Sequence, residues 1–258
     1  VAVLGAQLSR VWGGEFMSGV MDAAKASDVN LVCFIGGKPA AIDTGNLSSY
    51  GLYDLIKPGQ FDGILFAADI GHGPSRLEIE KFTRAFTPTP IASFAVQAEG
   101  VSTFVADSDN GMRAVIRHLI EVHGYKRIAF ISGPVGQVES DQRFKAYQDE
   151  LKSHGIRYEK NLVVGGDFSP ESGRAAIRTL VDERAIKFEA IAASNDRMAF
   201  GAIEALQQRG IQVPDQVAIT GFDDVDESQS MGVPLTTVNQ SFYDAGTQAF
   251  NALFKQMN

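Results

Sequence analysis

The chain has 258 residues, 45% of them hydrophobic, and a formal net charge of −8. That balance supplies a sizeable core and excludes a disordered or low-complexity chain. No Lys/Arg-dense run offers a nucleic-acid surface, and no apolar run approaches the ~20 residues that a membrane span needs.

Val1–Leu4 is a short apolar strand ended by Gly5, so the chain begins directly on a strand, as if a segment had been removed upstream. After the polar loop 6–14, Phe16, Met17, Val20, Met21 and Ala24 recur at helical spacing. Leu31–Ile35 reads as the second strand. Its Cys33 is the single cysteine, can form no intrachain disulfide and is expected as a small core residue. The stretch Lys38–Ser49 shows turn residues and no period, and Leu52–Ile56 gives one or two helical turns before Pro58. Gly63–Phe66, Pro90–Phe94 and Val101–Val105 read as strands and Leu77–Phe86 as a helix. Asp107–Gly111 breaks the pattern before an amphipathic helix built on Met112, Val115, Ile116, Leu119 and Ile120 and capped by Gly124. Next come a strand at Arg127–Ser132, a helix at Asp141–His154, a strand at Leu162–Val164 and a helix at Pro170–Glu183 with proline near its start. Two buried-looking strands, Ala190–Ala193 and Val217–Phe222, flank the helical segment Asp196–Arg209. Pro234–Val238 is extended, and Tyr243–Gln256 is helical.

Strands alternating with helices imply right-handed βαβ units and parallel sheets. The order also repeats: VAVLG at 1–5 aligns with IAFIS at 128–132, FDGILFA at 61–67 with FEAIAAS at 188–194, and PIASF at 90–94 with VAITGF at 217–222, each offset by 126 or 127 positions. A period this long is domain-scale. The expected fold is α/β, with two Rossmann-like lobes: 1–106 plus 239–258, and 107–238. A late helix returns to the first lobe, and two crossings of chain make a hinge.

Nearly the whole chain, and most strongly Val105 to Gln240, resembles the effector-binding domain of the LacI/GalR repressors, which shares the type I periplasmic sugar-binding-protein fold. The resemblance is carried by AD-x-x-x-G at 106–111, HLIEVHGYKRIAFISGP at 118–134, the S-x-x-R of Ser140–Arg143, GDFS at 166–169, the run from Ser194 to Asp224, and PLTTVNQ at 234–240. It implies a sensor that binds a small polar molecule, a sugar or related polyol, in an interlobe cleft and signals by closure. The repressors' DNA-binding helix-turn-helix and their extra C-terminal strand have no counterpart here, so DNA would be reached only through a domain missing from this chain. The loop Lys38–Gln60 departs from an ordinary repressor, and similar insertions occur in binding domains fused to kinases or cyclases. A cytoplasmic transcription regulator is the first expectation. A hybrid signalling sensor, a free periplasmic sugar-binding protein and an α/β enzyme are the alternatives, and homodimer formation stays open.

In an open α/β sheet, ligands sit at the carboxyl ends of the strands. There the chain places Ser194-Asn195-Asp196 and Asp223-Asp224. Asp223 offers acceptors only, and Asn195 both donates and accepts. Asp196 is expected as the N-cap of the following helix. Arg143 carries a guanidinium fork suited to vicinal hydroxyls or a carboxylate, and the resemblance implies that it contacts ligand. Phe168 of GDFS, with Trp12 and Phe16 around the first loop, offers aromatic faces for a sugar ring or a purine, against an alternative reading as core. The acidic run Asp223, Asp224, Asp226, Glu227 lacks the spacing of a Ca²⁺ loop. His72, His118, His123 and His154 show no metal spacing. Gly36-Gly37-Lys38 is no P-loop, and Gly165–Phe168 resembles a cyclase GGDEF signature without its context. No cofactor, no metal and no nucleophile–base pair are expected, which favours a binder over an enzyme.

Overall fold

The computed structural model describes residues 1–5, 11–36, 52–67, 70, 76–230 and 232–258; the side chains of 11–13, Arg76 and Ser230 are outside that description. Most of the loop 38–60 and His72 lie outside the described residues. The chain forms two compact units, Val1–Ala106 with Ser241–Asn258, and Asp107–Gln240.

The first unit carries β1 (Ala2–Gly5), α1 (Val11–Ala26), β2 (Val32–Ile35), β3 (Ile64–Phe66), α2 (Arg76–Arg84), β4 (Ile91–Phe94) and β5 (Ser102–Phe104). The second carries α3 (Ser108–Arg117), β6 (Ile128–Ser132), α4 (Val138–Ser153), β7 (Val163–Gly165), α5 (Pro170–Ile177), β8 (Ala190–Ala193), α6 (Asp196–Gln207), β9 (Ala218–Thr220) and the short α7 (Glu227–Ser230). The last helix, α8 (Phe242–Met257), belongs to the first unit. Both sheets are parallel, with strand orders β2-β1-β3-β4-β5 and β7-β6-β8-β9. The strands paired by the 127-residue offset therefore hold equivalent places in the two sheets. Central strands are apolar on both faces because helices cover both: β1, β4 and β8 are buried along their whole length.

In each unit two helices cross where glycines face the neighbouring backbone. A Cβ on Gly19 of α1 would lie 2.0 Å from the Tyr243 carbonyl oxygen of α8, and one on Gly246 would lie 2.1 Å from that of Phe16. In the second unit a Cβ on Gly173 of α5 would lie 2.1 Å from the Met198 carbonyl, and one on Gly201 of α6 would lie 2.0 Å from that of Pro170. Hydrogen replaces a methyl group at these points, so the backbones meet at distances no other residue allows.

Several expectations need correction. Cys33 is exposed: β2 is an edge strand of its sheet, and its residues are mostly open. The helix expected from Met112 begins earlier, at Ser108, because the Asp107 side chain accepts from the Asn110 N–H at 3.1 Å and caps α3. The fourth helix begins at Val138, three residues before the expected start. Phe16 is fully buried among Phe94, Val20 and Phe250, its ring centroid 5.4 Å from that of Phe94, so it is core of the first unit. Trp12 falls in the first turn of α1, and its side chain lies outside the described residues.

The close crossing predicts opposite outcomes for one substitution inside and outside the contact of α1 with α8. Gly246→Ala or Gly19→Ala should destabilise the chain by at least ~2 kcal/mol through overpacking. Gly14→Ala, with nothing within 4 Å of the added carbon, should be neutral or stabilising by up to ~1 kcal/mol. Urea unfolding of the three variants measures both signs.

Candidate functional site

In the second sheet the chain leaves β6 outward to β7 and returns on the other side to β8. The carboxyl ends of β6 and β8 are thus the point where connections diverge, the place where open α/β sheets bind their ligands. Four segments reach this edge: Gly133 after β6, Gly166–Ser169 after β7, Ser194-Asn195 after β8 and Phe222-Asp223 after β9.

Arg143 comes from the second turn of α4 and is buried, with 4% of its side chain exposed. Its Nη1 donates to the Ser194 carbonyl at 2.6 Å, and its Nε donates to Ser108 Oγ at 3.3 Å. The guanidinium carbon lies 3.8 Å from the centroid of the Phe222 ring, a cation–π contact. Asp223 Oδ1 stands 3.8 Å from Nη1. Burial presses the guanidinium's pKa down, and Asp223, Glu139 and Asp196 oppose it. The group stays protonated, as arginine does in proteins. This is not a solvated helix end.

Asp223 adopts φ 124, and its Oδ1 accepts from Gln240 Nε2. Burial pushes its carboxyl up to about 7, against the attraction of Arg143. Asn195, rather than Asp196, caps α6: its backbone is extended, and its Oδ1 accepts from the Met198 N–H at 2.9 Å. Its Nδ2 donates to the Phe168 carbonyl at 3.2 Å. One lone pair and one N–H of the amide remain over by inventory. Asp196 is the first helical residue and serves as scaffold. It is fully buried, accepting from the Val225 N–H at 3.0 Å and from Thr237 Oγ1 at 2.5 Å, and its N–H donates to the Phe222 carbonyl at 2.8 Å. Gly221 admits this carboxylate, since a Cβ there would sit 2.1 Å from its Oδ1. Asp196 therefore fixes the backbone from which Asp223 projects.

Phe168 is held in the left-handed region at φ 66, with its ring over Gly133, where a Cβ would lie 2.4 Å from the ring. It is half-buried against the core of the second unit. The edge thus gathers Arg143, Asp223, Asn195 and Phe168. It leaves out Phe16, which is buried in its own unit's core.

The structure adds partners to which sequence reasoning assigned no role. Ser108 and the Ser194 carbonyl hold the guanidinium, Phe222 supports it, and Gln240 holds Asp223. Gln240 closes the PLTTVNQ motif and was findable there, whereas Phe222 reads as strand core. Glu139, one turn before Arg143, is buried, and burial pushes its carboxyl up. Glu139 Oε1, Ser194 Oγ and Thr220 Oγ1 are enclosed without a hydrogen-bond partner among the described residues. Enclosed polar atoms of this kind are uncommon. Three carboxyl groups therefore act on one guanidinium whose Nη1 and Nε are engaged within the protein.

Residues 116–258 match the periplasmic binding protein-like domain family. The HTH-type transcriptional regulator CelR of Thermobifida fusca is 39% identical over 145 residues, 56% of this chain and 42% of that protein. Catabolite control protein A of Priestia megaterium is 27% identical over 259 residues, 100% of this chain and 75% of that protein. Among solved structures, the transcriptional regulator CelR–cellobiose complex superposes with a TM-score of 0.84 at 26% identity, covering 99% of this chain and 77% of that one. The match to CelR thus spans less than half of that regulator's length.

The raised Asp223 carboxyl has a consequence for stability. An unfolded Asp ionises near pH 4, whereas the folded one keeps its proton to about 7. The folded state therefore binds more protons in that window, and the group's contribution falls as pH rises through it. The melting temperature of Asp223→Asn, taken relative to the parent, should rise between pH 4 and pH 7 and level off above. Thermal melts across that range check it.

Proposed function

Because this chain belongs to the periplasmic binding protein-like family, and is of the effector-binding kind found in LacI/GalR transcriptional regulators, we propose that the carboxyl edge of its second sheet binds an uncharged polyhydroxylated ligand, a sugar or close relative. The observation that carries this reading is the buried Arg143 fork, with Asp223 and Asn195 beside it. The set supplies a donor, an acceptor and a group that is both, which is what ring hydroxyls require once water is excluded. Phe168 supplies a face for the apolar side of a ring. The cellobiose bound by CelR supports the sugar class. The edge serves recognition rather than turnover, in keeping with relatives that are transcriptional regulators. Binding would set the state of an output domain, for which DNA binding is the first candidate. No helix among the described residues is long and apolar enough to cross a membrane.

The test is a panel of neutral mono- and disaccharides, cellobiose among them, set against matched uronates and sugar phosphates. Each is screened by thermal shift and measured by calorimetry. A neutral sugar should raise the melting temperature. Arg143→Ala and Asp223→Ala should each weaken its binding by about ten- to hundredfold, the cost of leaving one or two buried hydroxyl groups unpaired. Preference for the anionic analogues, or unchanged affinity in both variants, contradicts the assignment.

A further inference from the structure

Three of the chain's four histidines, His118, His123 and His154, belong to the second unit. α3 continues through a π-helical turn, His118–Val122, before the chain reverses at Gly124 with φ 73. In a regular α-helix, residues five apart diverge around the axis. A π turn closes its hydrogen bond at five residues, and here it brings His118 and His123 together. Their Nε2 atoms face each other at 3.2 Å, with the rings at 84° and centroids 4.8 Å apart. The His123 ring is further fixed by stacking on Tyr125, 14° from parallel at 5.4 Å. The third histidine, His154, is engaged elsewhere, with its Nε2 3.0 Å from Glu121 Oε1.

The geometry points to a transition-metal site made by His118 and His123, of the class that takes Zn²⁺ or Ni²⁺. Imidazole nitrogens bind zinc at about 2.0–2.1 Å, so two nitrogens 3.2 Å apart subtend about 100° at a shared cation, close to the tetrahedral angle. The separation that makes a hydrogen bond in the metal-free pair is thus also the bite of a chelate. Both rings are reachable, His123 being exposed and His118 half-buried. The chain's net charge of −8 favours a cation. Among the described residues no group of three or more His, Cys, Asp or Glu could hold a metal, so water fills the remaining positions and the site is a two-point clip. Coordination would tie the end of α3 to the turn that feeds β6, and so stabilise the fold in proportion to metal occupancy.

The experiment is calorimetry of the tag-free chain with Zn²⁺ alone at neutral pH, on the parent and on His118→Gln, His123→Gln and His154→Gln. Metal-free thermal melts run in parallel. The expected result is one Zn²⁺ per chain, weakened at least about tenfold in His118→Gln and in His123→Gln, and unchanged in His154→Gln. Metal-free melts should coincide for the parent and the two site variants, because both rings lie at the surface. No binding to the parent overturns the proposal. So does binding that survives loss of either ring, or that depends equally on His154.

Discussion

A buried guanidinium is the constraint from which the candidate site follows. Taking the charge of Arg143 out of water is costly, and leaving it unpaired would cost on the order of 3–5 kcal/mol. The surroundings answer that cost from several elements at once: the Ser194 carbonyl at the end of β8, Ser108 in the first turn of α3, the Phe222 face after β9, and Asp223 beyond it. The partners come from three separate stretches of chain, so the fork can be satisfied only when those stretches are in register. The site is in that sense a by-product of closing the second sheet correctly.

The register is set by less conspicuous residues. Asp196 ties the start of α6 to Val225 and Thr237, and Gly221 leaves it room. The glycine pairs between α5 and α6, and between α1 and α8, fix helix positions to within the width of a methyl group. Rigid elements of this kind are what a binding site needs, since the donors and acceptors must be placed before the ligand arrives. The same doubly wound strand order in both sheets shows one architecture used twice. Among the groups described, Arg143, Asp223, Asn195 and Phe168 all come from the second unit.

Much of the fold could be read from the sequence because buried parallel strands write continuous apolar runs and their helices write a 3.6-residue period. Readings failed where a local signal was ambiguous. Asn195 and Asp196 are both good caps, and only the tertiary partners of Asp196 decide between them. Asp107–Gly111 looks like a break because it is polar, yet polar residues are what a capped first turn contains. Cys33 sits in an apolar run but on an edge strand, and strand order is not written in composition. Phe16 read equally as core or as a ligand-stacking face, and packing against Phe94 resolves it. Glu139 gave no signal, since a glutamate near a helix start is ordinarily solvated; burial became visible only with the helix in place. The approach of His118 to His123 was hidden for a similar reason, because it depends on a turn that is not α-helical.

The central claim is that ligand binds at the carboxyl edge of the second sheet. Hydrogen–deuterium exchange, with and without a saturating sugar, tests it most directly, because it reads the location of binding without a substitution. The account predicts added protection in the peptides that carry Gly166–Ser169, Ser194–Met198 and Phe222–Val225, with the exposed surface of α5 unchanged. Protection confined to other segments, with those three peptides exchanging as in the free chain, would contradict it.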